Sequence, residues 1–122
     1  SGLQAVLAQR LVRVLCLHCK QEHEPDSSER GMLGIGANET ATLYRPQGCD
    51  HCAQTGYQGR SGIYELLMID EEFRRMIHRG VAESDLRAHA RTAYGSLRDD
   101  GVSRVLSGQT SLEELLRVTQ AD

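Results

Sequence analysis

Four cysteines carry the chemistry most plainly written in this 122-residue chain. They fall as Cys16-x-x-Cys19 and, after a gap, Cys49-x-x-Cys52. Two residues between cysteines make a turn from which both sulfurs can face one ion, and a second such turn completes a tetrahedral site. The pattern predicts Cys16, Cys19, Cys49 and Cys52 as the ligands of one zinc ion. With every position filled by sulfur, none is left for water, so the metal is expected to be structural rather than catalytic. Other chemistries use the same residues. Paired disulfides need an oxidising compartment, and the N-terminus carries no secretory pattern. A thioredoxin-like redox centre needs one Cys-x-x-Cys at a strand-to-helix junction, whereas here there are two matched turns.

Other polar residues compete for attention and carry less. His18 and His51 hold matching places inside the two turns, but four thiolates already saturate an ion, so exposed turn positions are expected for both. His23, His78 and His89 fall on polar stretches and read as surface residues. Gly56 and Gly59 flank Tyr57 and suggest backbone turns folded tightly around the second knuckle, in preference to a phosphate cradle. Arg10, Arg13 and Arg60 read as surface salt-bridge formers. Glu113 and Glu114 are adjacent on a helix, where side chains do not converge, so helix-end stabilisation is expected of them. Lys20 is the single lysine, and Gln21 follows it. A phosphate-binding loop needs glycines, then Lys, then Ser or Thr. No such loop can be placed, and this polypeptide alone is not expected to hydrolyse ATP.

The elements that must position the cysteines follow from pattern. Leu3, Val6, Leu7, Leu11, Val14 and Leu15 recur at helical spacing, which predicts a helix over residues 3–15 leading into the first knuckle. Pro25 breaks the chain, and Asp26-Ser27-Ser28 can cap a short helix before Gly34. Residues 42–45 read as a short strand. Residues 63–69 are an apolar run with one acid, Glu65, and read as a strand. Asp70 is an N-cap signal ahead of Phe73, Met76 and Ile77, with Gly80 just past the end. Leu86, Ala90 and Ala93 predict a helix closed by Gly95. Leu97, Val102, Val105 and Leu106 predict another, closed by Gly108. Thr110 and Glu113 read as a capping box before Leu112, Leu115, Leu116 and Val118.

The fold class is therefore α+β, mainly α. A small tetracysteine subdomain with short strands precedes a bundle of short helices. The expected units are residues 1–15, 16–69 and 70–122. Hydrophobic residues make up 39% of the chain, with no Trp and one Phe, so the core must be aliphatic. A chain this short is marginal on burial alone, which gives a metal staple its use. The net charge of −3 offers no electrostatic case for nucleic-acid or anionic-membrane binding. No apolar run approaches the length of a membrane span. The chain opens inside an apolar-periodic stretch, as a piece of a longer polypeptide would.

Several stretches taken together resemble a known family. Ala8-Gln9-Arg10-Leu11-Val12-Arg13 leads into the first cysteine pair. Gly48-Cys49-Asp50-His51-Cys52 leads through Thr55-Gly56-Tyr57-Gln58-Gly59-Arg60 to Gly62-Ile63-Tyr64-Glu65-Leu66-Leu67. Ser96-Leu97-Arg98-Asp99-Asp100-Gly101 follows later. The combination resembles the C-terminal part of type II secretion traffic ATPases, whose close relatives assemble type IV pili. One departure is Leu17, where that family often has Pro after the first cysteine. The resemblance implies a cytoplasmic hexameric motor that powers protein export. It implies docking through neighbouring subunits and inner-membrane assembly-platform proteins, with ATP and Mg²⁺ held by a RecA-like core outside this chain. The residues at 1–15 would then belong to that core, followed by the zinc module and a helical subdomain. A zinc ribbon that binds nucleic acid is the reading from another class. It needs basic residues and exposed aromatics near the knuckles; Tyr44 and Tyr57 qualify, but with 17 acids against 14 bases the charge balance opposes it.

Overall fold

A computed structural model of the chain describes residues 5–120, apart from the side chains of residues 93 and 94. The expectations for Leu3 and for the Ala93 side chain lie outside the described residues. Its longest feature is an antiparallel hairpin of two strands, β1 (Ala5–Leu15) and β4 (Tyr57–Met68). Between them lies the cysteine lobe. It holds β2 (Gln21–His23) paired antiparallel with β3 (Leu43–Arg45), helix α1 (Ser27–Leu33) and a 3-10 turn at Asp50–Cys52. After β4 come α2 (Glu71–His78), α3 (Glu83–Tyr94), α4 (Leu97–Leu106) and α5 (Leu112–Thr119). The α+β class stands.

The segment before the first knuckle is a strand, not the helix its spacing predicts. Val6, Leu7, Leu11, Val14 and Leu15 fit a helical stripe, but they also fit a ribbon that is apolar on both faces. Register decides the matter. Val12 pairs with Ser61 and Arg10 with Ile63, which sends Val12 and Ile63 into the core, both fully buried. The other face carries Leu7 opposite Leu66 and Leu11 opposite Gly62, and it stays exposed. β-branched Val6, Val12 and Val14 favour the pleated conformation once a partner strand exists. That partner lies roughly fifty residues on, beyond any local window. The strand expected at residues 63–69 is present and begins earlier, at Tyr57.

The helix ends follow local chemistry. Asp26 caps α1 in a capping box with Glu29, and Gly34 ends it in the left-handed region at φ 72°. Asp70 accepts from the Phe73 N–H at 2.7 Å and starts α2. Ser96 and Asp99 form a capping box for α4. The cap of α5 is Ser111, which accepts from the Glu114 N–H at 3.0 Å, one residue later than the expected Thr110. Thr110 instead donates its hydroxyl to the Arg13 carbonyl at 2.7 Å, tying the α4–α5 loop to β1.

One apolar cluster joins the parts. Val12 and Ile63 of the hairpin meet Leu33 and Leu43 of the cysteine lobe and Leu97, Val105, Leu112 and Leu115 of the last two helices. Gly101 permits the close approach of α4 and α5, because a Cβ there would sit 2.1 Å from Leu115 Cδ1.

Candidate metal centre

The two knuckles are built by backbone turns that aim N–H groups at sulfur. After Cys52, Ala53 and Gln54 both take positive φ, 54° and 66°, a conformation non-glycine residues rarely adopt. This tight return places the Gly56 N–H 3.1 Å from Cys52 Sγ. The Cys49 N–H donates to the same sulfur at 3.3 Å, and the Gly48 N–H donates to Cys19 Sγ at 3.3 Å. On the other side, the Lys20 N–H closes the first turn onto the Cys16 carbonyl at 3.0 Å. The Cys16 N–H bonds the Gly56 carbonyl at 3.0 Å, so each knuckle fixes the other. Gly56 sits against Pro46, where a Cβ would come within 2.4 Å of the Pro46 Cβ.

The result brings all four expected cysteines together. Their sulfurs lie within 4.8 Å of one another. Cys16 to Cys49 is 3.8 Å, Cys19 to Cys52 is 3.8 Å and Cys49 to Cys52 is 3.7 Å. Four thiolates, each about 2.3 Å from a central tetrahedral zinc, stand about 3.8 Å apart. The spacing thus fits an ion of that size, and none of the four cysteines is in a disulfide. Cys16 and Cys52 are buried, while Cys19 and Cys49 are partly exposed. The titration pattern is uneven. Burial opposes a thiolate at Cys52, but the N–H groups of Cys49 and Gly56 outweigh it and hold that thiol down at about 6. Burial pushes Cys49 up to about 11. For all four to be thiolates at once a cation would have to lie among them, and a bound metal would supply it.

Two of the five histidines, His23 and His89, are more engaged than surface positions would be, and His78 is exposed as expected. His18 and His51 are exposed as expected, but they stack on each other with centroids 3.8 Å apart and planes 16° off parallel. Their equal positions within the two turns were the signal for this pairing. His23 is not a free surface residue: its Nε2 lies 3.0 Å from Glu29 and its Nδ1 accepts from Arg45 at 3.2 Å. His89 lies 3.4 Å from the capping carboxylate of Asp70.

The charged residue that pattern missed is Glu114. Its side chain is fully buried. It accepts from the Arg13 N–H at 2.8 Å, from the Arg13 guanidinium at 2.9 Å and from Arg117 at 2.8 Å. Burial alone would raise its carboxyl, but the two guanidiniums and the amide prevail and hold it at about 2. Glu113, its neighbour, is exposed, as a helix-end acid should be. Arg13 also lies 4.2 Å over the Tyr57 ring, and the Tyr57 hydroxyl meets Ser111 Oγ at 2.7 Å. Arg10 donates to the Val118 carbonyl at 2.6 Å, and Arg60 is exposed opposite Arg13. The two tyrosines that base stacking would need are engaged internally. Tyr57 is buried, and Tyr44 lies under the Lys20 ammonium at 4.4 Å.

Fold and site together define a small α+β module organised round four converging cysteine sulfurs. Comparison with known proteins takes this one step further: residues 1–117 match the family described as Type II/IV secretion system protein, and the chain belongs to that family. It is 48% identical over its full length to the type II secretion system protein E of Pseudomonas aeruginosa, covering 24% of that protein. It is 45% identical over 98% of its length to the type II secretion system ATPase E of Vibrio cholerae, again 24% of the relative. A type IV pilus assembly ATPase PilB of Thermus thermophilus is 43% identical over 98% of the chain, which covers 14% of that protein. The chain thus spans about a quarter or less of the relatives named. Among the described residues, no helix is long and apolar enough to cross a membrane.

Proposed function

We propose that this chain is the zinc-stabilised C-terminal module of a hexameric type II secretion traffic ATPase, a motor that powers protein export. The observation that carries the zinc assignment is the sulfur spacing of 3.7 to 3.8 Å across three of the cysteine pairs, which matches four thiolates around a single ion. The ion would be held by Cys16, Cys19, Cys49 and Cys52. Its role is to clamp two turns 33 residues apart in sequence. The chemistry it supplies is Lewis-acid charge neutralisation of the thiolates, with no position for substrate. Cys16 and Cys19 hold the end of β1, and Cys49 and Cys52 hold the start of β4, so closing the site also sets the hairpin register.

In this reading residues 1–15, with strand β1 at Ala5–Leu15, belong to the preceding core, residues 16–69 form the metal module with its return strand, and residues 70–122 form the helical subdomain. ATP and Mg²⁺ belong to the remainder of the longer protein, and the module itself is not an enzyme. It works in the cytoplasm, at the inner membrane through its partners. Those partners are neighbouring ATPase subunits and assembly-platform proteins. A motor of type IV pilus assembly is the second reading, favoured by the Thermus relative.

The test is the polypeptide upstream in the full-length protein. A G-x-x-x-x-G-K-[ST] loop there, and ATP turnover lost when its Lys is replaced, support the motor. A different domain in that position overturns it. Failure of the full-length protein's deletion strain to export folded proteins, with pili intact, separates secretion from pilus assembly.

A further inference from the structure

The first knuckle is bracketed on both sides by groups that hold the loop between α4 and α5. Immediately before Cys16, the Leu15 N–H donates to the Gln109 carbonyl at 2.9 Å. Immediately after Cys19, the Lys20 ammonium donates to the Gly108 carbonyl at 3.0 Å. Lys20 is held there by the Tyr44 ring beneath it, and the same ring leaves no room at Gly108, where a Cβ would sit 2.9 Å from Tyr44 Cε2. The next residues of the loop are tied down as well. Thr110 reaches the Arg13 carbonyl, and Ser111 meets the Tyr57 hydroxyl while capping α5. Three positions beyond Ser111 stands buried Glu114, which bonds back to Arg13.

We propose that Lys20 and the loop at residues 108–111 are positioning residues for the metal centre, and that they couple its occupancy to the order of α5. This rests on the reading of the cysteines as a metal site. The physical reason is that a chelating turn binds more tightly when its two sulfurs are already held in place, because less ordering is left for the metal to impose. The Cys16–Cys19 turn has one internal backbone bond, from the Lys20 N–H to the Cys16 carbonyl. The remaining constraint comes from Gly48 and Gly56 of the facing knuckle, which bond Cys19 Sγ and the Cys16 N–H, and from this loop. Ammonium-to-carbonyl bonds are charge-assisted and stronger than neutral ones. Coupling of this kind is reciprocal: if the loop steadies the knuckle, the loaded knuckle must steady the loop and the α5 cap beyond it.

Two readings on the 122-residue protein test it. Metal content of the wild type is measured first, and a chain without stoichiometric metal sinks the metal site itself together with this coupling. With metal present, zinc is withdrawn by a chromophoric chelator of known affinity, and amide exchange is followed in the loaded and stripped states. Stripping is expected to speed exchange at Glu114 and Leu115 in α5 at least fivefold, not only in the cysteine lobe. Lys20→Met keeps the stem and removes the charge, and it is expected to weaken zinc retention about tenfold. Lys20→Arg, which can still donate to Gly108, is expected to restore most of it. Equal retention in wild type and Lys20→Met, or α5 exchange indifferent to zinc, overturns the coupling and leaves the metal site standing.

Discussion

Arg13 grips Glu114 with both its main chain and its side chain: the backbone N–H meets one carboxylate oxygen at 2.8 Å and the guanidinium meets the other at 2.9 Å. The two residues are 101 positions apart, so one carboxylate joins the strand that feeds the first knuckle to the helix that closes the chain. Arg117, one turn along α5, completes the arrangement at 2.8 Å.

Glu114→Gln keeps the shape and removes the charge. It leaves two guanidiniums against a neutral amide that cannot satisfy them equally, and it turns a donor of the amide toward them. The expected cost is about 3 kcal/mol, the low end for a broken buried pair because both arginines reach solvent. Glu113→Gln, on the exposed side of the same turn, should stay within about 0.5 kcal/mol of wild type. Urea unfolding of the two variants side by side checks the contrast. Equal effects would mean that the buried geometry of Glu114 has no energetic weight.

The same carboxylate makes a pH prediction. Its ordinary value is 4.5, and in the folded chain it lies at about 2. A carboxyl whose folded value is depressed binds its proton more readily in the unfolded chain, so acid favours unfolding. The stabilisation is fully present above about pH 4.5 and is lost as pH falls toward about 2. Cysteine thiolates holding a metal would also take up protons in acid, so the difference between variants is read in place of the wild-type curve alone. The difference between wild type and Glu114→Gln isolates the carboxylate. That difference should shrink steadily from about pH 4.5 to about 2, and a flat difference contradicts it.

Gly101→Ala tests the contact of α4 with α5. In an isolated helix Ala would be favoured by about 1 kcal/mol. Here the new methyl meets Leu115 Cδ1, so overpacking should reverse the sign and cost about 1–3 kcal/mol net. In a Leu115→Ala background the penalty should fall markedly, since the methyl then enters vacated space. Additive effects of the two changes would show that the helices are free to separate.

The parts of the fold that were legible in the sequence are those whose causes are local. Asp26 and Asp70 announce helix starts because a short polar side chain beside free N–H groups needs nothing else. The cysteine spacing announces the site in the same way, and the four sulfurs do converge. What escaped depends on distant partners. Strand β1 became a strand because Val12 and Arg10 find Ser61 and Ile63, and apolar residues on both of its faces hide the two-residue period. Ser111 rather than Thr110 caps α5 because Thr110 is drawn to the carbonyl of Arg13. Glu114 and Glu113 are the same residue type side by side, and only the position of Arg13 in space tells them apart.

X-ray absorption at the zinc edge of the purified protein, with metal content measured on the same sample, distinguishes a closed four-sulfur zinc centre from every other use of these cysteines. The expected result is one zinc per chain with about four sulfur scatterers at about 2.3 Å and no nitrogen or oxygen in the first coordination sphere. A protein free of stoichiometric metal, or zinc held by histidine nitrogen or water in place of one of the cysteines, contradicts it.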